Sequence, residues 1–175
     1  MRRLFGIIVI ALFTASCAYV ISKDVRKQAV KGVSYSMMKE NIGIYNGSVF
    51  IFGGFIAKSL SNAEGTWLEI VQNPTDKYGN ITSTDFSEGR SLALYKGHLD
   101  PLIYEKGRLL TIAGELTGTQ KGSIGQMEYT YPIFTIKEVY LWQEQTAYFP
   151  YDYNYPPSNP WGYDPWRWWY GPYFP

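Results

Sequence analysis

Cysteine and histidine each occur only once in the 175 residues, as Cys17 and His98. An internal disulfide is therefore excluded, and a zinc site of His and Cys ligands cannot be assembled from one copy of each. An excess of charge of one sign is also missing: 16 basic residues stand against 15 acidic ones, for a net +1. Nucleic-acid binding needs several Lys or Arg on one face to displace phosphate counterions, so dispersed and matched charges argue against that partner. No apolar run reaches the roughly 20 residues of a membrane-spanning helix. The Leu4–Phe13 run has ten residues, and as a helix it would cross only about half of a hydrocarbon core. Gly114, Gly118, Gly122 and Gly125 lack the Lys and Ser/Thr of a phosphate-cradling loop. No internal repeat is evident.

What is present begins at the N-terminus. Arg2 and Arg3 precede the apolar run, and the small residues Ala15 and Ser16 close it. Charge, apolar stretch, then small residues is the order of an export leader, expected to span residues 1–16. Thr14-Ala15-Ser16-Cys17 resembles the lipobox, in which the cysteine is thioether-linked to diacylglycerol and the bond before it is cut. That resemblance implies lipid attachment at Cys17, palmitate among the acyl chains, with Ser16 as the cleavage flank. Thr14 stands where the motif usually has an aliphatic residue. The alternative is an ordinary leader cut near Ala15-Ser16, which would export Cys17 as an unpaired thiol. Ala18, rather than Asp, follows Cys17, so the expected destination is the outer membrane of a Gram-negative envelope. Losing Arg2 and Arg3 with the leader leaves 14 basic residues against 15 acidic, a charge of −1.

Composition divides the remainder into three. Residues 17–47 are polar and mixed, read as a lipidated tether with a short helix around Val20 to Val30. Residues 48–145 alternate β-branched and aromatic runs with Gly, Asn, Asp and Pro, the pattern of strands and turns. Five strands are expected: Val49–Ala57, Thr66–Gln72, Arg90–Tyr95, Arg108–Thr117 and Tyr129–Trp142. Gly53-Gly54 in the first predicts a bend that lets one strand serve two sheets. Asp100-Pro101 suits the start of a helical turn between strands three and four, and Pro132 belongs at a strand start or edge. Trp67, Ile70, Leu92, Leu94, Leu110, Ile112, Ile136 and Leu141 are the expected core. The fold class is all-β: a small five-stranded antiparallel barrel with a short helix between strands three and four, resembling the OB-fold. A plain antiparallel sandwich is the rival.

Residues 146–175 form an irregular tail rich in Tyr, Trp and Pro. From Tyr148 onward the chain holds four of the six tryptophans and seven of the ten prolines. Proline at this density excludes a helix or a central strand. Trp161, Trp166, Trp168, Trp169 and Tyr170 are the candidates for contact with a lipid interface or a sugar ring.

The blocks Gly53-Gly-Phe-Ile56, Leu68–Pro74, Ser87-Glu-Gly-Arg90, Leu99-Asp-Pro101, Gly107–Gly114, Gly122-Ser-Ile-Gly125, Tyr129-Thr-Tyr-Pro132 and Leu141-Trp142, in this order and spacing, resemble the Slp family of starvation-inducible outer-membrane lipoproteins. The resemblance implies an envelope lipoprotein and supplies no catalytic residues to carry over.

Chemistry on the residues alone is sparse. His98 lies in a Lys-Gly-His loop with no nucleophile elbow near any serine. Glu88 with Glu115 or Asp100 is the one carboxylate pairing to weigh for acid–base work. Arg90 is expected to brace Glu88 or Asp85 beside Gly89. The leading expectation is a non-enzymatic structural or binding lipoprotein without cofactor or metal. Its partners would be membrane lipid through acylated Cys17 and an envelope glycan or protein, with no nucleic acid. A carbohydrate-, peptidoglycan- or peptide-binding module is the second reading, and an envelope hydrolase the third.

Overall fold

A computed structural model describes residues 19–143. Five strands, β1 (Val49–Asn62), β2 (Gly65–Asn73), β3 (Arg90–Tyr95), β4 (Leu109–Ile124) and β5 (Met127–Leu141), close into a barrel in the order β1-β2-β3-β5-β4. Every neighbouring pair is antiparallel except β3 with β5, which run parallel over Leu92–Leu94 and Ile133–Thr135. That parallel seam is the departure from the antiparallel barrel expected.

Closure depends on the bend in β1. Gly53 and Gly54 pair with Asn73 and Gln72 of β2 and also with Thr111 and Leu110 of β4. A Cβ on Gly54 would lie 2.2 Å from the Val71 carbonyl oxygen, an approach only glycine permits. A bulge between Ile56 and Lys58 follows, adding local twist. The β4–β5 ladder runs beyond the barrel to a two-residue turn at Gly125-Gln126, where Gly125 has φ +60°, the conformation hairpin turns require. Pro132 occupies the position before β5 enters its seam with β3 at Ile133, where its missing N–H leaves that seam intact. The helix expected between β3 and β4 is a single turn. Asp100 Oδ1 accepts the Leu102 N–H and Asp100 O accepts the Tyr104 N–H, both at 2.9 Å.

The apolar residues fill the interior. Phe52, Ile56, Leu68, Ile70, Leu110, Ile112, Leu116 and Phe134 are buried, with Phe52 and Phe134 rings 5.0 Å apart. Each such side chain stabilises the fold by about 1.5–3 kcal/mol. Ile70, Leu110, Ile112 and Ile136 lie in the core as expected, and Leu141 packs against it. Trp67, Leu92 and Leu94 do not point inward. Thr66, Leu68 and Ile70 face in on β2, and Ser91 and Ala93 face in on β3. Strand period two forbids Trp67 and Ile70 from sharing a face, and the small β3 residues leave room for Phe134 in a narrow barrel.

The tether expected over residues 17–47 is, from residue 19 onward, a packed layer and not a spacer. Helices α1 (Lys23–Gln28), α2 (Tyr35–Glu40) and α3 (Ile42–Tyr45) are short, and α1 falls in the expected Val20–Val30 stretch. The Ser34 hydroxyl caps α2 by accepting the Met37 N–H at 3.2 Å. Tyr35 and Met38 enter the core, with Tyr35 5.4 Å from Phe52. Ile21 is buried, and the Ser22 N–H is clasped by both Glu138 carboxylate oxygens at 2.9 and 3.1 Å.

Candidate binding face

Cys17, Ser16, Trp161, Trp166, Trp168, Trp169 and Tyr170 lie outside the described residues. The carboxylates weighed for acid–base work are each held by a structural partner. Glu88 Oε2 accepts the Ser36 N–H at 2.8 Å, Glu115 pairs with Lys137 at 2.9 Å, and Asp100 caps its own turn. His98 is exposed after β3. Among the described residues no three His, Cys, Asp or Glu side chains gather as metal ligands would.

Ser87-Glu88-Gly89-Arg90 is a staple between α2 and the barrel. Gly89 has φ +142°, a conformation that favours glycine, and a Cβ there would sit 2.5 Å from Tyr129 Oη and 2.8 Å from Lys39 Nζ, displacing both side-chain ends. Lys39 Nζ donates to Glu88 O at 3.1 Å, and Tyr129 Oη accepts the Arg90 N–H at 2.8 Å. The Arg90 guanidinium does not brace Glu88 or Asp85 as expected. It reaches across to Glu69 at 2.8 Å, because Arg90 and Glu69 both point outward on adjacent strands. Tyr131 stands beside Glu69, and burial, followed by the Glu69 charge, pushes its phenol above the ordinary range.

The same outward register assembles the main surface feature. Leu60, Trp67, Leu94 and Thr135 lie directly opposite one another across β1, β2, β3 and β5. Lys58, Glu69, Leu92 and Ile133 form the next row. Leu60 is 56 % exposed, while Trp67, Leu92, Leu94 and Ile133 are half-buried. The result is an apolar stripe around a Trp ring. Polar groups border it: Glu64 Oε2 holds the Trp67 Nε1–H at 3.2 Å, and Glu64, Lys96 and His98 line an open depression next to Leu94. The turn is brought close by Gly65, where a Cβ would clash with Tyr95 O at 2.1 Å. Sequence reasoning missed this face by assigning its apolar residues to the core. The spacing of Trp67 and Ile70 was the signal that one of them had to point outward.

A filled apolar interior, a closed five-stranded OB-like barrel and a set of carboxylates engaged in structure define a small scaffold that presents surfaces. The sequence pattern of the outer membrane lipoprotein Slp family matches residues 14–174. The chain belongs to that family and is a lipoprotein of the Gram-negative outer membrane. It is 29 % identical to outer membrane protein Slp of Escherichia coli over 74 % of this chain and 72 % of that one. It is 30 % identical to the E. coli lipoprotein YeaY over 82 % and 75 %. A Haemophilus influenzae protein described as uncharacterized is 32 % identical over 66 % of this chain, and the match spans 63 % of that relative's length. Among solved structures, the mitochondrial single-stranded DNA binding protein Rim1 of S. cerevisiae matches at 13 % identity. That match has a TM-score of 0.31 and covers 57 % of this chain and 98 % of that one, a likeness too loose to bear on function.

Proposed function

We propose that the protein is held at the membrane by acylated Cys17, carries out no catalysis, and uses the outer face of β1–β2–β3–β5 to bind an envelope glycan. The observation that carries this reading is the Leu60–Trp67–Leu94 row, a stripe bordered by Glu64, Glu69, Lys58, Lys96 and His98. An aromatic ring with polar groups at its edge suits the face and the hydroxyls of a sugar ring. The engagement of Glu88, Glu115 and Asp100 in local structure supports a binding rather than a hydrolytic role.

Purified peptidoglycan sacculi are the test material. The native chain is expected to co-sediment with them, and Trp67→Ala is expected to weaken the retention by at least about tenfold, on the order of 1.4 kcal/mol. No retention of the native chain, or equal retention of both, rejects the glycan reading. Sugar release by the native chain that is lost in Glu88→Gln or His98→Ala would establish a hydrolase instead. Anchoring is tested separately with a fatty-acid analogue, which should label the native chain and leave Cys17→Ala unlabelled. Production under starvation or stress belongs to the same reading and is checked by immunoblotting through entry into stationary phase.

A further inference from the structure

Two residues after Cys17, the chain is already fixed to the barrel. The Val20 N–H donates to Tyr78 O at 3.4 Å, and the Tyr19 ring lies 5.0 Å from that of Tyr78, inclined by 59°. Gly79, next in the chain, offers its carbonyl to the buried Thr111 hydroxyl at 2.8 Å. The same hydroxyl accepts the Trp142 indole N–H at 3.1 Å. Trp142 in turn packs edge-on against Tyr140 at 4.9 Å. Arg108 extends the patch by donating to both Trp142 O and Ile103 O at 3.1 Å. That places the exposed Leu102–Ile103 turn beside Trp142, with Leu102 at 83 % exposure.

Two extended residues span about 7 Å at most, so an acylated Cys17 holds the headgroup layer within about that distance of the Tyr19 backbone. Tyr and Trp are the residues whose apolar ring and polar edge are both satisfied at such an interface. Arg26 lies 3.4 Å over the Tyr19 ring and Lys77 4.9 Å over that of Tyr78, cations able to reach lipid phosphates while their stems follow apolar surface. Asp76, Glu105 and Glu138 lie in the same segments, so the attraction is aromatic and apolar and does not come from net charge.

We propose that Tyr19, Tyr78, Tyr140, Trp142 and the Leu102–Ile103 turn form a membrane-docking face that seats in the phospholipid headgroup layer anchoring Cys17. The proposal rests on the anchoring reading above. It also sets the orientation of the barrel. Thr111, the hub of the patch, is on β4, whose neighbours are β1 and β5, so β2 and β3, with Trp67 and Leu94, face away from the membrane.

Acylation of Cys17 leaves an introduced cysteine as the only free thiol, so an environment-sensitive fluorophore can be attached to Lys77→Cys or, on the far face, Lys96→Cys. The full lipidated chain is reconstituted on phosphatidylethanolamine–phosphatidylglycerol vesicles containing nitroxide lipids, and flotation is measured in the same sample. The expected result is several-fold stronger quenching at 77 than at 96. The Tyr19→Ser, Tyr140→Ser double variant should reduce quenching at 77 while still floating, and doubling the phosphatidylglycerol should change little. Equal quenching at the two positions on floating vesicles overturns the docking face while leaving the anchor intact. A blue-shifted but unquenched probe at 77 also overturns it, because a protein surface then covers the patch. A chain that does not float overturns the anchor, and the docking face with it.

Discussion

The Trp142 indole N–H donates to Thr111 Oγ1 at 3.1 Å, and the Thr111 hydroxyl, fully buried on the outer side of β4, donates in turn to Gly79 O at 2.8 Å. One hydroxyl thereby ties the end of β5, the loop after β2 and, through Val20, the start of the described chain. Thr111→Val keeps the shape and leaves a buried carbonyl and an indole N–H unpaired. The expected cost is about 1–3 kcal/mol, read by urea denaturation.

Gly54 gives a sharper case. The atom that blocks a Cβ there is the Val71 carbonyl oxygen, with the Val71 carbonyl carbon at 3.0 Å, and backbone held in a ladder cannot move aside. Gly54→Ala should destabilise by more than about 3 kcal/mol. At Gly53 the obstacles are the side chains of Ile81 and Thr75, at 2.7 Å, and Gly53→Ala should cost less. Thermal melts of the two variants side by side give the ordering, and the reverse ordering would contradict the two-sheet role of the bend.

Burial pushes the Tyr35 phenol well above its ordinary value of 10.0, and Tyr104 and Tyr131 move in the same direction, also chiefly through burial. The unfolded chain releases the Tyr35 proton near pH 10 while the folded chain keeps it. Its contribution to stability is therefore complete below pH 10 and falls as pH rises above it, by about 1.4 kcal/mol per pH unit while that proton is retained. The more solvated Tyr104 and Tyr131 add to the same limb more weakly. Tyr35→Phe should flatten this alkaline limb. The Tyr35 hydroxyl is buried beside the Ser91 hydroxyl in a contact too poor to count as a full hydrogen bond, so its removal at pH 7 should change stability by about 1 kcal/mol or less. Denaturation midpoints from pH 7 to 11 supply both readings.

The Arg90–Glu69 pair is partly solvated, with side-chain exposures of 33 % and 18 %. Replacing Arg90 by Ala should cost about 1 kcal/mol or less, shrinking as salt screens the pair. A double-mutant cycle with Glu69→Ala at low and high salt isolates the coupling. A coupling insensitive to salt would mean that packing of the Arg90 stem is the larger contribution.

Local sequence determined the elements. Alternation set five strands, Gly53-Gly54 marked the bend, and Asp100-Pro101 produced its turn, because period, glycine freedom and capping act within a few residues. The order of charge, apolar run and small residues before the lone Cys17, with the ordered blocks up to Trp142, likewise pointed to the envelope class. Which way a strand faces was decided by the closed barrel. Ser91 and Ala93 point inward and Leu92 and Leu94 outward because Phe134 and Met38 occupy the interior, and that competition for volume is settled between strands far apart in sequence. The same holds for residues 19–47, whose polar composition hid three well-placed anchors, Ile21, Tyr35 and Met38. It holds again for Arg90, whose partner lies on the neighbouring strand at Glu69. Both proposed surfaces, the Trp67 stripe and the Tyr19–Trp142 patch, join residues distant in the chain, so they exist only once the barrel has closed and register has fixed which side chains share a face.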